Sequence, residues 1–208
     1  MFIEALPQET KRNLALLADA GLTESFYLAG GTAAALHLGH RISIDLDFFR
    51  PDPFDSSQLA ARLSDLGQFR LERLADNTLL GELEGVRTSF FCYHYPLLVE
   101  PVSVLGVKVA GIEDIAAMKL DAISRRGTRR DFIDLYFIAQ SGLTLSEALQ
   151  CYQRKYVGLN LNLVHLVKSL TYFADAETDP MPQMLIELSW DDVKRFFERE
   201  TRSLFERL

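Results

Sequence analysis

Leu28-Ala29-Gly30-Gly31-Thr32 and, a little further on, Ile42-Ser43-Ile44-Asp45-Leu46-Asp47-Phe48 are the stretches on which the reading of this chain turns. The second alternates strictly. Ile42, Ile44, Leu46 and Phe48 fall on one face, and Ser43, Asp45 and Asp47 on the other, which predicts a strand over 42–49. Same-face neighbours in a strand stand ~7 Å apart, so Asp45 and Asp47 repel one another unless a cation or a basic group lies between them. A divalent metal resolves that repulsion, and magnesium in particular is held by one or two carboxylates together with substrate phosphates. The plainer alternative is the solvated face of an edge strand, and the pair by itself leaves both readings open.

Upstream, Gly30-Gly31-Thr32 sits where an apolar strand over 26–29 hands over to a helix over 32–38. Glycines there let backbone N–H groups approach a phosphate, and the helix N-terminus adds partial positive charge. The Gly-Lys-Ser/Thr ending of a Walker loop is missing, and a lone Gly-Gly-Thr is commonly only a tight turn. Followed by a short helix and a strand bearing Asp-x-Asp, it supplies phosphate binding and metal binding on adjacent strand ends.

Working outward, a helix is predicted over 6–20 with Gly21 as its stop, and another from an Asp55 N-cap through Leu66. Strands follow over 69–74, 78–84, 86–95 and roughly 99–109, with a tight hairpin at Gly85. From Ile112 the pattern is helical, over 113–125, 130–140, 145–155, 161–174 and 191–205. Ser189 with Asp192 resembles a capping box, and the acidic 175–182 stretch with its two prolines reads as a loop. The expected class is α+β: a mixed β-sheet core with flanking helices over 1–111, then a C-terminal helical bundle over 112–208.

Within the helical part, Ile115, Lys119 and Ile123 follow at helical spacing, so Lys119 interrupts an apolar stripe. A lysine there either finds an anionic partner or snorkels to water. Asp131 and Asp134 share a helix face one turn apart, as structural ion-pair partners of Lys119 or Arg130 or as acid/base and metal-shell groups. Arg125, Arg126, Arg129 and Arg130 form a dense basic cluster, read as a solvated helix junction or as a phosphate-binding rim.

Composition sets the bounds. An apolar share of 48% and a charged share of 25% are those of an ordinary globular chain, and a net charge of −7 argues against general affinity for nucleic acid. No apolar run is long enough for a membrane span, and no basic-then-apolar leader opens the chain. Cys92 and Cys151 stand far apart, and the histidines form no zinc pattern, so a reducing cytoplasmic compartment is expected.

Taken together, Gly30-Gly31-Thr32-Ala33, Arg41-x-Ser43-x-Asp45-Leu46-Asp47-Phe48, Asp114-x-x-Ala117-Met118-Lys119 and Arg130-Asp131-x-x-Asp134-Leu135 resemble the AbiEii/AbiGii toxin family. That family belongs to the nucleotidyltransferase superfamily related to DNA polymerase β. The resemblance implies a nucleotidyltransferase core, Mg2+, a nucleoside triphosphate substrate and transfer of a nucleotide to an acceptor. Some members act as toxins by modifying the acceptor end of transfer RNA and are paired with an antitoxin protein. Carried over by residue, it implies metal carboxylates at Asp45 and Asp47. It implies reacting or stabilising groups at Ser43, Lys119 and one of Asp131 or Asp134, and nucleotide contacts at Gly30, Gly31, Thr32, Arg41 and Ser43. One departure stands out. Such transferases carry a third carboxylate on a later strand, yet 86–95 contains no Asp or Glu, so Glu82, Glu84, Asp131 or Asp134 would have to substitute. The alternatives are a catalytically inactive nucleotide- or partner-binding module of the same fold, and an enzyme that nucleotidylates protein.

Overall fold

A computed structural model describes residues 1–206; the last two positions of the expected helical region lie outside the described residues. After a short 3-10 turn at Ile3–Ala5, α1 spans Gln8–Asp19 and ends before Gly21, whose φ of +66° is the left-handed stop expected of it. β1 (Tyr27–Ala29) is buried throughout and runs directly into α2 (Gly30–Leu38). Ala33, Ala34 and Ala35 are wholly buried because α2 is apolar nearly all round, enclosed by the sheet and later helices.

β2 (Leu46–Arg50) is shorter than expected. The predicted strand over 42–49 pairs only from Leu46 onward. Upstream, the Ile42 N–H donates to the Gln183 carbonyl and the Ser43 N–H to the Ala5 carbonyl, so a distant loop and the opening 3-10 turn hold this segment instead of a neighbouring strand. Ile44 consequently turns to solvent, 52% exposed, while Ser43 turns inward. Leu46 and Phe48 alone keep the predicted apolar face, both fully buried.

Asp55 caps α3 (Ser56–Leu66) as predicted, accepting from the Ser57 and Gln58 N–H groups. β3 (Phe69–Ala75), β4 (Thr78–Leu83) and β5 (Val86–Cys92) form a meander, with Glu84 and Gly85 both at positive φ in the expected tight turn. The region expected as one strand over 99–109 is a hairpin, β6 (Val102–Val104) and β7 (Val107–Val109). Leu105 and Gly106 take φ of 49° and 81° there, the mirror-image turn that matches strand twist. The sheet order is β3-β4-β5-β2-β1-β7-β6, with β2 parallel to β5 and antiparallel to β1, and β1 parallel to β7. This mixed topology puts β1, β2 and β5 side by side at the centre.

Helices follow: α4 (Ile112–Arg125), α5 (Arg129–Gln140), α6 (Leu145–Lys155), α7 (Leu163–Ser169), α8 (Ala174–Thr178) and α9 (Trp190–Phe205). The helix expected over 161–174 is thus the shorter α7, and α8 occupies part of the segment expected as a loop. Ser189 caps α9 through the Asp191 N–H, but Asp192 turns to Arg195, so the capping box is not formed. One apolar core runs continuously from Leu6 to Leu204. A buried ion pair, Lys155 Nζ to Asp114 Oδ1 at 2.6 Å, ties α6 to the start of α4, and Asp114 also accepts from the Leu98 N–H. Among the described residues no helix is long and apolar enough to cross a membrane.

Candidate active site

The centre of the sheet opens into a cavity of about 570 Å³ bounded by α4 and the start of α5. Gly30, Gly31, Thr32, Arg41, Ser43, Asp45, Asp47, Lys119 and Asp131 all line it, so residues drawn from both sequence regions meet in one place. Asp134 does not. A depression of similar size, about 620 Å³ between Pro53–Ser57 and Leu74–Asn77, contains no cationic side chain and is poorly suited to phosphate.

Asp45 and Asp47 stand at the mouth of β2. Asp47 is half-buried, and its carboxyl is pushed above the ordinary range by that burial and then by the charge of Asp45, against the opposing hydrogen bond from Ser89. Arg130 reaches Asp45 only at 3.9 Å. The pair therefore lacks a close cationic partner within the protein, the condition under which a divalent cation fits. No group of three or more His, Cys, Asp or Glu side chains is assembled for a metal among the described residues.

The glycines have distinct jobs. Gly30 has φ of +67°, and a Cβ there would lie 3.1 Å from Asp47 Oδ2. Gly31 opens α2, where a Cβ would lie 2.5 Å from an Arg41 terminal nitrogen. Both positions thus bring the free N–H groups of the helix start close to charged side chains. The Gly31→Ala variant is expected to displace Arg41 and to lose stability by about 1–3 kcal/mol, measurable by denaturant melts. The Thr32 hydroxyl lies between Ser43 Oγ, 2.9 Å away, and the Asp45 carbonyl, so its immediate contacts pin the 43–45 segment.

Lys119 is buried, with Nζ 2.8 Å from Asp131 Oδ1 and 2.7 Å from Asp134 Oδ2. Of the two expectations for this lysine, the anionic partner is the one realised, and snorkelling is not. Burial alone would lower its pKa, but Asp131 and then Asp134 outweigh it and hold the ammonium charged. Asp131 also accepts from Thr128 Oγ1 at 2.6 Å; burial would raise its pKa, but Lys119 beside it brings it below the ordinary range.

Asp134 sits behind the wall, wholly buried. Arg41 donates to it from Nε at 2.7 Å and from a terminal nitrogen at 2.9 Å, and His40 Nε2–H donates at 2.7 Å. With Lys119 as a further partner, both carboxylate oxygens are occupied and no face is open to the cavity. Of the alternatives the sequence leaves open for Asp134, the arrangement is that of an ion-pair partner of Lys119, set behind the cavity wall. Arg130, offered as its partner in the sequence, goes to the rim instead. Arg41 lines the cavity, and its guanidinium is engaged by Asp134.

The remaining candidates for a third carboxylate are not brought in. Glu82 pairs with Arg70 and Glu84 accepts from the Gln68 N–H, and neither lines the cavity. The position opposite Asp47 on β5 is Ser89. Three of the clustered arginines, Arg125, Arg126 and Arg130, do line the cavity, each more than half exposed. The Arg129 guanidinium turns away to donate to the Ala176 and Glu177 carbonyls, while its backbone N–H donates to Asp179. Two features escaped sequence reasoning: Asp121 on α4, paired with Arg125, and an aromatic group of Phe49, Phe91 and Tyr93. The alternation of Arg87, Ser89, Phe91 and Tyr93 carried the signal for the latter.

The sequence profile of the family described as "Nucleotidyl transferase AbiEii toxin, Type IV TA system" matches residues 14–97 and 92–207. An uncharacterised protein of Aquifex aeolicus is 38% identical over 206 residues, 97% of this chain and 98% of its own. Among solved structures, a candidate nucleotidyltransferase from Helicobacter pylori superposes with a TM-score of 0.56 at 18% identity, covering 97% of each chain. MenT4, a nucleotidyltransferase toxin of Mycobacterium tuberculosis, superposes with a TM-score of 0.55 at 16% identity, covering 94% of this chain and 86% of its own. At such identities these two likenesses speak for the fold, and the family assignment rests on the profile match. The chain belongs to the AbiEii nucleotidyl transferase family and is a nucleotidyltransferase built on a mixed α+β fold.

Proposed function

We propose that the cavity transfers a nucleotide from a nucleoside triphosphate to an RNA acceptor, with Asp45 and Asp47 holding Mg2+. The observation that carries this reading is the meeting, in one cavity, of a carboxylate pair with no ion-pair partner closer than 3.9 Å, a glycine-opened helix start and a buried, charged lysine. The cation, when bound, supplies charge neutralisation and orientation of phosphate oxygens.

This chain's own residues do the rest. The N–H groups of Gly30 and Gly31 face the outer phosphates from the positive end of α2. Ser43, held by Thr32, offers a hydroxyl at the same end. Lys119 stays protonated, so it acts as fixed positive charge toward the transferring phosphoryl group and cannot serve as a base. Asp131, kept ionised by that lysine, positions it; Asp134 fixes Lys119 and Arg41 from behind. Transfer of this kind depends chiefly on positioning and electrostatics, which fits a site without a third carboxylate on β5. Residues 1–111 supply the carboxylates and the cradle, and the helical region from 112 supplies Lys119 and the arginine rim. Arg126 and Arg130 form the exposed side on which a phosphodiester chain docks, for which we favour a transfer RNA end.

We also propose a toxin role opposed by an antitoxin, which the family's description supports, in a reducing cytoplasmic setting. The test is incubation with each labelled triphosphate, Mg2+ and either bulk RNA or protein. Label is expected on RNA and is expected to vanish on chelation of the cation. Label on protein alone would transfer the reading to a protein acceptor, and label that survives chelation would remove the metal from it.

A further inference from the structure

Beyond the carboxylates the cavity continues as an aromatic arm that the reaction as described leaves without a task. From Asp45 into β2 the cavity-lining residues run Asp45, Asp47, Phe49, and along β5 and just past its end they run Arg87, Ser89, Phe91, Tyr93. Phe49 lies opposite Phe91 in the parallel register, their rings stacked with centroids 5.2 Å apart, and Tyr93 meets Phe49 edge-on at 5.5 Å. Met118 and Ala122 of α4 and Leu80 of β4 also line this cavity, while Asp121 and Arg125, 2.9 Å apart, add a polar edge. Tyr93 is itself held by a hydroxyl contact to Tyr156 and an edge contact with Tyr95. Flat rings between a sheet and an apolar helix face, with donors and an acceptor at the edge, make a slot for a planar heterocycle.

The order along the strand says which heterocycle. The glycine cradle lies at the Asp47 end of β2, because Ala29 pairs with Asp47 while Tyr27 pairs with Phe49. Outer phosphates on that cradle and an α-phosphate at the carboxylates direct the nucleoside away from Gly30, toward Phe49 and Phe91, ~7 Å further on. The acceptor has its own exposed approach past Arg126 and Arg130. We propose that Phe49, Phe91 and Tyr93, closed by Met118, hold the base of the donor nucleotide, with Asp121 and Arg125 reading its polar edge. This assignment rests on the nucleotidyl-transfer reading above and adds to it the element that selects among triphosphates.

The test compares equilibrium binding of ATP, CTP, GTP, UTP and inorganic tripolyphosphate, all with Mg2+, to wild-type protein and to Phe91→Ala, Phe91→Tyr and Met118→Ala. Phe91→Ala is expected to weaken the preferred nucleoside triphosphate about tenfold, leave tripolyphosphate unchanged, and be reversed by Phe91→Tyr. If Phe91→Ala does not fold, as loss of tripolyphosphate binding would reveal, Met118→Ala on the opposite wall is expected to give the same selective loss. Unchanged triphosphate affinity in the folded variants would overturn the assignment while leaving the transfer reading intact. So would a raised KM for RNA with triphosphate affinity unaltered, which would give the arm to the acceptor. Failure of wild-type protein to bind either a triphosphate or tripolyphosphate would instead remove the transfer reading, and this proposal with it.

Discussion

Replacing Asp45 and Asp47 together by alanine is expected to abolish nucleotide transfer, a loss of at least about a thousandfold, while the fold survives. Neither carboxylate carries the architecture. Asp45 is partly exposed and its nearest cation is Arg130 at 3.9 Å, an exposed pair that contributes little. Asp47 goes further. Its pKa is raised by burial and by Asp45, so the ionised form is disfavoured in the folded chain, and the group contributes instability as pH rises through that raised value. The single variant Asp47→Asn is therefore expected to raise the melting temperature at neutral pH without added divalent cation, and to lose transfer in the same preparation. Calorimetry and a labelling assay on one sample check both halves. A variant that melts lower and retains transfer would sink this account of the pair.

Asp134→Ala is expected to be the most destabilising change near the cavity. It leaves Arg41 and Lys119 buried beside an empty space and takes the acceptor from His40 Nε2, whose Nδ1 already has no hydrogen-bond partner. Breaking a buried ion pair from one side costs about 3–5 kcal/mol, which for a chain of this size lowers the melting temperature by on the order of 10 °C. Burial would raise the pKa of Asp134, but Arg41, Lys119 and the His40 hydrogen bond hold it well below the ordinary carboxylate range. Its contribution is present above that ordinary range and is lost as pH falls below about 4 toward the folded value. The stability gap between wild type and Asp134→Ala should accordingly narrow on acidification. Asp131→Ala makes the useful contrast. Lys119 keeps Asp134 in that variant, so transfer should fall more than stability does.

The contrast between these aspartates shows what the sequence could carry. Asp131 and Asp134 are one turn apart and look alike in sequence, yet one faces the cavity and the other is enclosed by Arg41 and His40, 93 and 94 positions away. Local spacing has no information about partners that distant. Lys119 was legible because an ammonium on an apolar stripe requires an anion, and the helix bearing two aspartates was nearby in the chain. Asp55 and Gly21 were legible because capping and left-handed stops are decided within a turn. The strand over 42–49 was overextended for the opposite reason. Its alternation was complete, but the backbone partners of Ile42 and Ser43 come from Gln183 and Ala5, and Ile44 turns outward with them. The alternation over 87–93 puts Phe91 and Tyr93 on one face, but that Phe49 stands beside them depends on the crossover that makes β2 and β5 neighbours, which local pattern does not carry.

Whether this cavity moves the nucleotidyl group of a triphosphate is decided by the position of a radiolabel. Wild-type protein, Mg2+ and RNA would be incubated in parallel with a triphosphate labelled at the α-phosphate and with the same triphosphate labelled at the γ-phosphate. Label on RNA from the α-position alone, with the γ-label recovered in pyrophosphate, is the predicted result, absent in Asp45→Ala/Asp47→Ala. Label on RNA from the γ-position, or equal transfer by the double variant, would contradict it.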